Sequence, residues 1–226
     1  MQSPYKYKFI GVGIFFYGGA FYCAVQLYLN DKLRAQLEEI NKEGTRKYNL
    51  WQINERNAKS YDKTTNNYEF RTSVLKFRKR ITSYAKGKVL ETGIGTGRNM
   101  EFYQSDADVI GVDYSAKMIE QSISKLEELK AQNRIKANIN LMKMDCEDLQ
   151  FEDSYFDCVV DTYNLHNYYD YNLVIDNIKR VLKKDGYLLI IANGQSYYRI
   201  INDFYVLFKP YFFMKRGINL LSNLIS

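Results

Sequence analysis

Residues 88–99, KVLETGIGTGRN, set three glycines at alternate positions directly behind a short apolar run. Glycine costs backbone entropy and gives a core nothing to pack, so such a stretch suits a chain that turns sharply or meets a ligand closely. The pattern around it is equally restrictive. Residues 88–92, 108–112, 139–144, 156–161 and 186–192 read as short apolar strands. Residues 115–131 and 173–182 carry helical spacing, and a further helix is expected to open at 99–103. Strands alternating with helices through short loops predict an α/β fold with a parallel sheet, doubly wound and covered on both faces. Ligands of such sheets bind beyond the carboxyl ends of the strands, where the strand order reverses. The glycine loop sits at the end of the first strand.

A dinucleotide fingerprint needs a third glycine three positions after the second. Counted from Gly93, that position is Arg98. The pattern here is Glu91-x-Gly93-x-Gly95-x-Gly97, which suits a small ligand lying along the loop without a pyrophosphate. On these residues the chain resembles the class I S-adenosylmethionine-dependent methyltransferases, whose first motif is an acidic residue followed by G-x-G-x-G. The resemblance runs from about residue 57 to 193 and implies a Rossmann-like doubly wound sheet with S-adenosyl-L-methionine as cofactor. It implies that Asp113, in VIGVDYS, holds the ribose hydroxyls. It further implies that Asp145, in MKMDCEDLQ, lies near the adenine, with the Cys146 backbone N–H facing a ring nitrogen. A carboxylate suits the ribose because it accepts from two vicinal hydroxyls at once. More narrowly, NAKSYDKTTNNYE and LETGIGTGRN resemble membrane-anchored mitochondrial methyltransferase-like proteins. That likeness implies the mitochondrial inner membrane and places Tyr61 over the cofactor pocket.

The chain has 226 residues, 46% hydrophobic and 26% charged, enough for one packed domain with something attached. Its formal charge of +6 is compatible with a nucleic acid or an anionic membrane surface. Cys23, Cys146 and Cys158 are too few and scattered for a disulfide framework or zinc site, and His166 is the single histidine. Residues 9–29 contain no charge. As a helix they are roughly 30 Å long, the thickness of a bilayer's hydrocarbon. Lys6 and Lys8 precede them, and Asp31, Lys32 and Arg34 follow. The expected organisation is a transmembrane anchor over 1–30, a helical stalk over 31–57 broken near Gly44 and Asn49, a methyltransferase-like domain over 58–195, and an aromatic tail over 196–226. Gly19, Ala20, Cys23 and Ala24 form a small-residue stripe that either admits a second membrane helix or simply faces lipid.

A helix is expected over 68–85, burying Phe70, Val74, Phe77, Ile81 and Tyr84. Its basic residues Lys76, Arg78, Lys79 and Arg80 are read as a solvated face in preference to a site for RNA or anionic lipid, so nucleic acid is not the expected partner. His166 follows the fourth strand, where an acceptor would approach, and is either a general base or merely positional. Tyr163, Asn164, Tyr168 and Tyr169 share its loop. The tail mixes aromatic residues with Lys209, Lys215 and Arg216, as membrane interfaces and protein interfaces do. Two functions follow. One is a membrane-tethered methyltransferase for a small lipophilic acceptor, such as a quinone precursor, or for a neighbouring protein. The other is a methyltransferase-fold subunit or assembly factor of a mitochondrial membrane complex, contacting other membrane subunits through the span and tail.

Overall fold

The computed structural model describes residues 46–165 and 167–192. Its strands are β1 (Gly87–Thr92), β2 (Ala107–Asp113), β3 (Asn138–Lys143), β4 (Phe156–Thr162) and β5 (Leu182–Ile191). They pair in parallel in the order β3-β2-β1-β4-β5. The chain therefore winds outward from β1 through β2 to β3, then returns to place β4 and β5 on the other side. The order reverses between β1 and β4, and the glycine loop leaves β1 at that point.

Side chains alternate across a strand. Val89 packs with Val109, Tyr103, Ile119 and Leu126 on one side of the sheet. Its neighbour Leu90 packs with Val112, Val159, Phe156 and Ile178 on the other. Both faces are covered, which is why the central strands read as continuous apolar runs. The helix Ala116–Ala131 starts at Ser115, whose hydroxyl accepts from the Met118 N–H, and it buries Met118, Ile119, Leu126 and Leu129. The helix Tyr171–Val181 is capped by Asp170, which accepts from the N–H groups of Asn172 and Leu173. It buries Val174, Ile178 and Val181 and ends where Leu182 turns extended, so β5 begins four residues before the expected Gly186. The helix expected at 99–103 is a single 3-10 turn, Met100–Phe102.

Upstream of the sheet are α1 (Arg46–Arg71) and α2 (Val74–Thr82); the two helices already named are α3 and α4 in chain order. Two expectations are corrected here. The stalk does not break at Asn49: α1 runs through it and across the expected boundary at residue 57. A largely polar helix of this length needs contacts along its course. Asn54 donates to the Tyr114 hydroxyl at 2.7 Å, and Glu55 accepts from the Ser115 hydroxyl at 2.8 Å. Asp62 accepts from Thr96 at 2.7 Å and Arg98 at 2.8 Å and pairs with Lys125. Glu69 lies between Arg78 and Arg98, 2.8 Å from each. The second correction concerns 68–85, which is no single helix. Ser73 adopts a left-handed conformation (φ 59°) between α1 and α2. The inward face of α2 is Val74, Arg78 and Thr82, whereas Phe70, Phe77 and Tyr84 are exposed. Glu69, Asn99 and Thr162 draw the Arg78 guanidinium inward, and the aromatic side chains turn out as a consequence.

No helix among the described residues is long and apolar enough to cross a membrane. The expected span at 9–29, most of the stalk and the tail at 196–226 lie outside the described residues.

The Glu69–Arg78 pair is buried on both sides. Removing one partner strands the other charge, at a cost of about 3–5 kcal/mol. Glu69→Ala should lower the urea midpoint of unfolding accordingly. Lys179→Ala, in the exposed pair with Asp176, should leave that midpoint unchanged.

Candidate functional site

The loop after β1 makes its turn with Gly93, Gly95 and Gly97 at φ of 58°, 57° and 76°. A side chain is strained in that left-handed region. The three glycines nevertheless serve different ends. A Cβ on Gly93 would collide with the Asn164 amide, and one on Gly97 with the Met100 side chain. A Cβ on Gly95 would meet only the Gly93 carbonyl oxygen, at 4.0 Å. Two of the glycines therefore make room for the protein's own side chains. The middle one borders open space.

Asp113 ends β2 beside this opening. Its Oδ2 accepts from the Gly95 N–H at 2.9 Å and its Oδ1 from the Ser115 N–H at 2.9 Å. Burial pushes the carboxyl up to about 6, against the pull of those two donors. The segment after β3 is held to the same place, since the Met144 N–H donates to the Asp113 carbonyl at 3.0 Å. Asp145 accepts from the Glu147 N–H at 3.0 Å. Cys146 is buried against the Gly93 backbone and Tyr168. Burial, reinforced by the Asp113 charge, pushes its thiol far up, which keeps it protonated. The loop, Asp113 and the 145–146 segment thus converge at the carboxyl ends of β1 to β3.

Glu91 points elsewhere. Its two oxygens accept from the Asn99 amide at 2.7 Å and the Tyr103 hydroxyl at 2.8 Å, and it is buried. Burial lifts its carboxyl to about 7. It braces the loop from beneath rather than bordering the opening at Gly95. Tyr61 lies on α1 among Arg78, Arg98, Glu69 and Asp62, and burial raises its hydroxyl pKa. It belongs to the polar cluster that joins α1 to the loop.

His166 lies outside the described residues. The turn around it is tied to Asp161, a buried carboxylate closing β4. Asp161 accepts from the Thr92 hydroxyl at 3.0 Å, the Tyr168 hydroxyl at 2.7 Å and the Asn164 N–H at 3.2 Å. Burial raises its pKa. Tyr163 has a φ of 64°, a strained value for a bulky residue, and the Arg78 guanidinium covers its ring at 5.3 Å. Asp161, Thr92 and the Glu69–Arg78–Arg98 cluster are absent from the sequence-derived site. Asp161 had a signal, because it ends β4 as Asp113 ends β2. The ion pairs had none, since Glu69 and Arg78 lie on separate helices and Arg98 lies 29 residues beyond Glu69.

Residues 90–190 match the family model described as "Methyltransferase domain". Among curated proteins the chain is 31% identical to a phosphatidylethanolamine N-methyltransferase of Cereibacter sphaeroides, over 46% of this chain and 50% of that one. It is 28% identical to a demethylmenaquinone methyltransferase of Staphylococcus aureus, over 67% and 63%. It is 26% identical to a ubiquinone/menaquinone biosynthesis C-methyltransferase of Geotalea daltonii, over 64% and 66%. The chain thus spans between half and two thirds of the length of these relatives. In fold it is similar to a Thermotoga maritima protein described as "SAM-dependent methyltransferase, possible histamine N-methyltransferase", with a TM-score of 0.54 and 23% identity over 74% of this chain and 72% of that one. A second solved structure, a methyltransferase candidate of Methanococcus maripaludis, gives a TM-score of 0.51 and 20% identity over 62% and 64%. The strand order, the glycine loop with Asp113 beside it, and these likenesses give the described residues the Rossmann-like fold of the class I S-adenosylmethionine-dependent methyltransferases, with residues 90–190 matching a methyltransferase domain and S-adenosylmethionine supported as its cofactor.

Proposed function

We propose that this chain transfers a methyl group from S-adenosylmethionine to a small lipophilic acceptor of the quinol class. One observation carries the cofactor half of the reading: Gly95 borders open space with the Asp113 carboxylate hydrogen-bonded to its N–H. The acceptor half is supported by two of the relatives above, whose names specify quinone methylation. Bound there, S-adenosylmethionine supplies an electrophilic methyl group. Gly95 lets the ligand come against bare main chain. Asp113 is placed to accept from the ribose hydroxyls, and Asp145 and Cys146 border the same opening. Helix α1, fastened through Asp62 and Glu69, covers the loop and limits the access of water. The turn after β4, held by Asp161 and Tyr168, frames the acceptor's approach. The mitochondrial inner membrane, with residues 9–29 as its span, is the proposed location.

A second reading, a methyltransferase-fold subunit of a membrane complex, is favoured by one observation. The edge strand β5 exposes Tyr187 to 68%, together with Leu188 and Ile190. Incubating the purified full chain with S-adenosylmethionine carrying a labelled methyl and a prenylated demethyl-quinol separates the two. Label in the quinol supports the enzyme. Retention in a stoichiometric complex with no transfer to any acceptor supports the subunit.

Gly95→Val should abolish cofactor binding in calorimetric titration, because the branched side chain fills the opening and is strained at this φ. Unchanged affinity would remove the loop from the site. Asp113→Ala should weaken binding by about 1–3 kcal/mol, the scale of a hydrogen bond to a charged group.

Asp113 also sets a pH dependence. Its folded-state pKa of about 6 lies above the unfolded value near 3.8, so its contribution to stability is present below pH 3.8 and is lost as pH rises through 6. Hydroxyl donors favour the ionised carboxylate, so cofactor affinity should change in the opposite sense, rising between about pH 5 and 7. Asp113→Asn should flatten that rise. An equally steep profile in both proteins would assign the titration to another group.

A further inference from the structure

The outward face of α2 takes no part in the site. It presents Phe77, 55% exposed, and Tyr84 just beyond the helix end, 59% exposed; Phe70, at the end of α1, is 81% exposed. From Phe70 to Lys88 the chain holds no aspartate or glutamate. Several of its cations are engaged. Arg78 is buried on Glu69, Lys86 pairs with Asp106, and Lys79 and Lys88 lie over the rings of Phe102 and Tyr155. Arg71, Lys76 and Arg80 are exposed and have no ion-pair partner among the described residues.

Large exposed aromatic side chains beside unpaired cations, on a helix whose buried side is fixed by an ion pair, constitute an interaction face. We propose that this face, centred on Lys76, Phe77, Arg80 and Tyr84, docks on an anionic bilayer surface. Charge complementarity favours lipid: three unpaired cations and no anion face outward, and aromatic side chains with a polar rim suit the headgroup layer. The same chain holds the uncharged run at 9–29, which is apolar enough to seek a bilayer. A single convex helix offers neither the groove nor the row of stacking platforms with which single-stranded nucleic acid is gripped. The position is also apt. Arg78, on the inner side of the same helix, donates to Thr162 at 2.9 Å and covers Tyr163, at the carboxyl end of β4. The docking face thus adjoins the end of the sheet where an acceptor approaches, although the proposal does not depend on the reaction assigned above.

The test uses the full chain, in which residues 9–29 can bind lipid on their own, so the readout must be local. Phe77→Trp in a Trp51→Phe background places a single tryptophan on the face. Leu173→Trp in the same background places one on α4, exposed and packed on the other side of the sheet. Vesicles of brominated phosphatidylcholine containing phosphatidylglycerol should quench the tryptophan of the Phe77→Trp protein at least twofold. The tryptophan of the Leu173→Trp protein should be nearly unchanged. Adding Lys76→Ala and Arg80→Ala to Phe77→Trp should shift the dose of vesicles needed by about 25-fold, fivefold for each basic residue. Equal quenching at the two positions, or quenching of the Phe77→Trp protein that ignores phosphatidylglycerol, overturns the proposal. So does an emission shift in the Phe77→Trp protein produced by an RNA oligonucleotide and not by anionic vesicles.

Discussion

The buried cluster of Glu69, Arg78 and Arg98 governs most of what surrounds the glycine loop. Two guanidinium groups share one carboxylate at 2.8 Å each. Arg98 belongs to the loop, Glu69 to α1 and Arg78 to α2, so one charge cluster joins three chain segments. Arg78 reaches further, to Asn99 at 3.0 Å and Thr162 at 2.9 Å. The end of β4 is thereby tied to the same centre. Buried ion pairs of this kind contribute little to net stability compared with apolar packing of the same volume. What they supply is geometry, since a guanidinium fork satisfied on several sides permits few arrangements. The conformation of the loop and the covering position of α1 are therefore set together. The outward turn of the aromatic residues on α2 follows from the same cluster, so a constraint beside the site also creates the exposed face.

The sheet was legible in the sequence because its determinants are local. Alternating apolar strands, helical spacing in α3 and α4, and a glycine run behind the first strand each fit within a few residues, and their order predicts a parallel sheet. The strand ends were legible for the same reason, as Asp113 follows VIGV directly. The N-terminal helices were misread because periodicity counts apolar residues and disregards what a cation finds when buried. Phe70, Phe77 and Tyr84 keep a helical spacing, but the face they mark is the one without partners. Arg78 has Glu69, Asn99 and Thr162 waiting, two of them far along the chain. The same limitation explains α1. Nothing near Asn49 shows that Asn54 and Glu55 meet Tyr114 and Ser115 some sixty residues later.

The glycine run itself was legible only in aggregate. Three alternating glycines imply close approach, but not by what. The structure divides them: the Asn164 amide claims the space at Gly93, Met100 claims that at Gly97, and Gly95 alone adjoins open space. A motif that reads as one ligand cradle is thus two packing contacts on either side of a single open position.

The carboxylates at the strand ends sharpen this point. Glu91, Asp113 and Asp161 close β1, β2 and β4, and burial raises the pKa of each. An ionised carboxylate has about four acceptor positions. Glu91 directs both oxygens to donors inside the core, and Asp161 is met by two hydroxyls and a backbone N–H. Asp113 accepts from two backbone N–H groups, one of them belonging to the very residue that borders the opening. Each of its oxygens retains acceptor capacity, and two adjacent hydroxyl donors would use it while favouring the ionised form. Three similar acidic residues at the ends of three parallel strands therefore have different chemistry. The difference lies in where each one's donors sit: those of Glu91 are core side chains, whereas one of those of Asp113 is the backbone N–H of Gly95 in the loop.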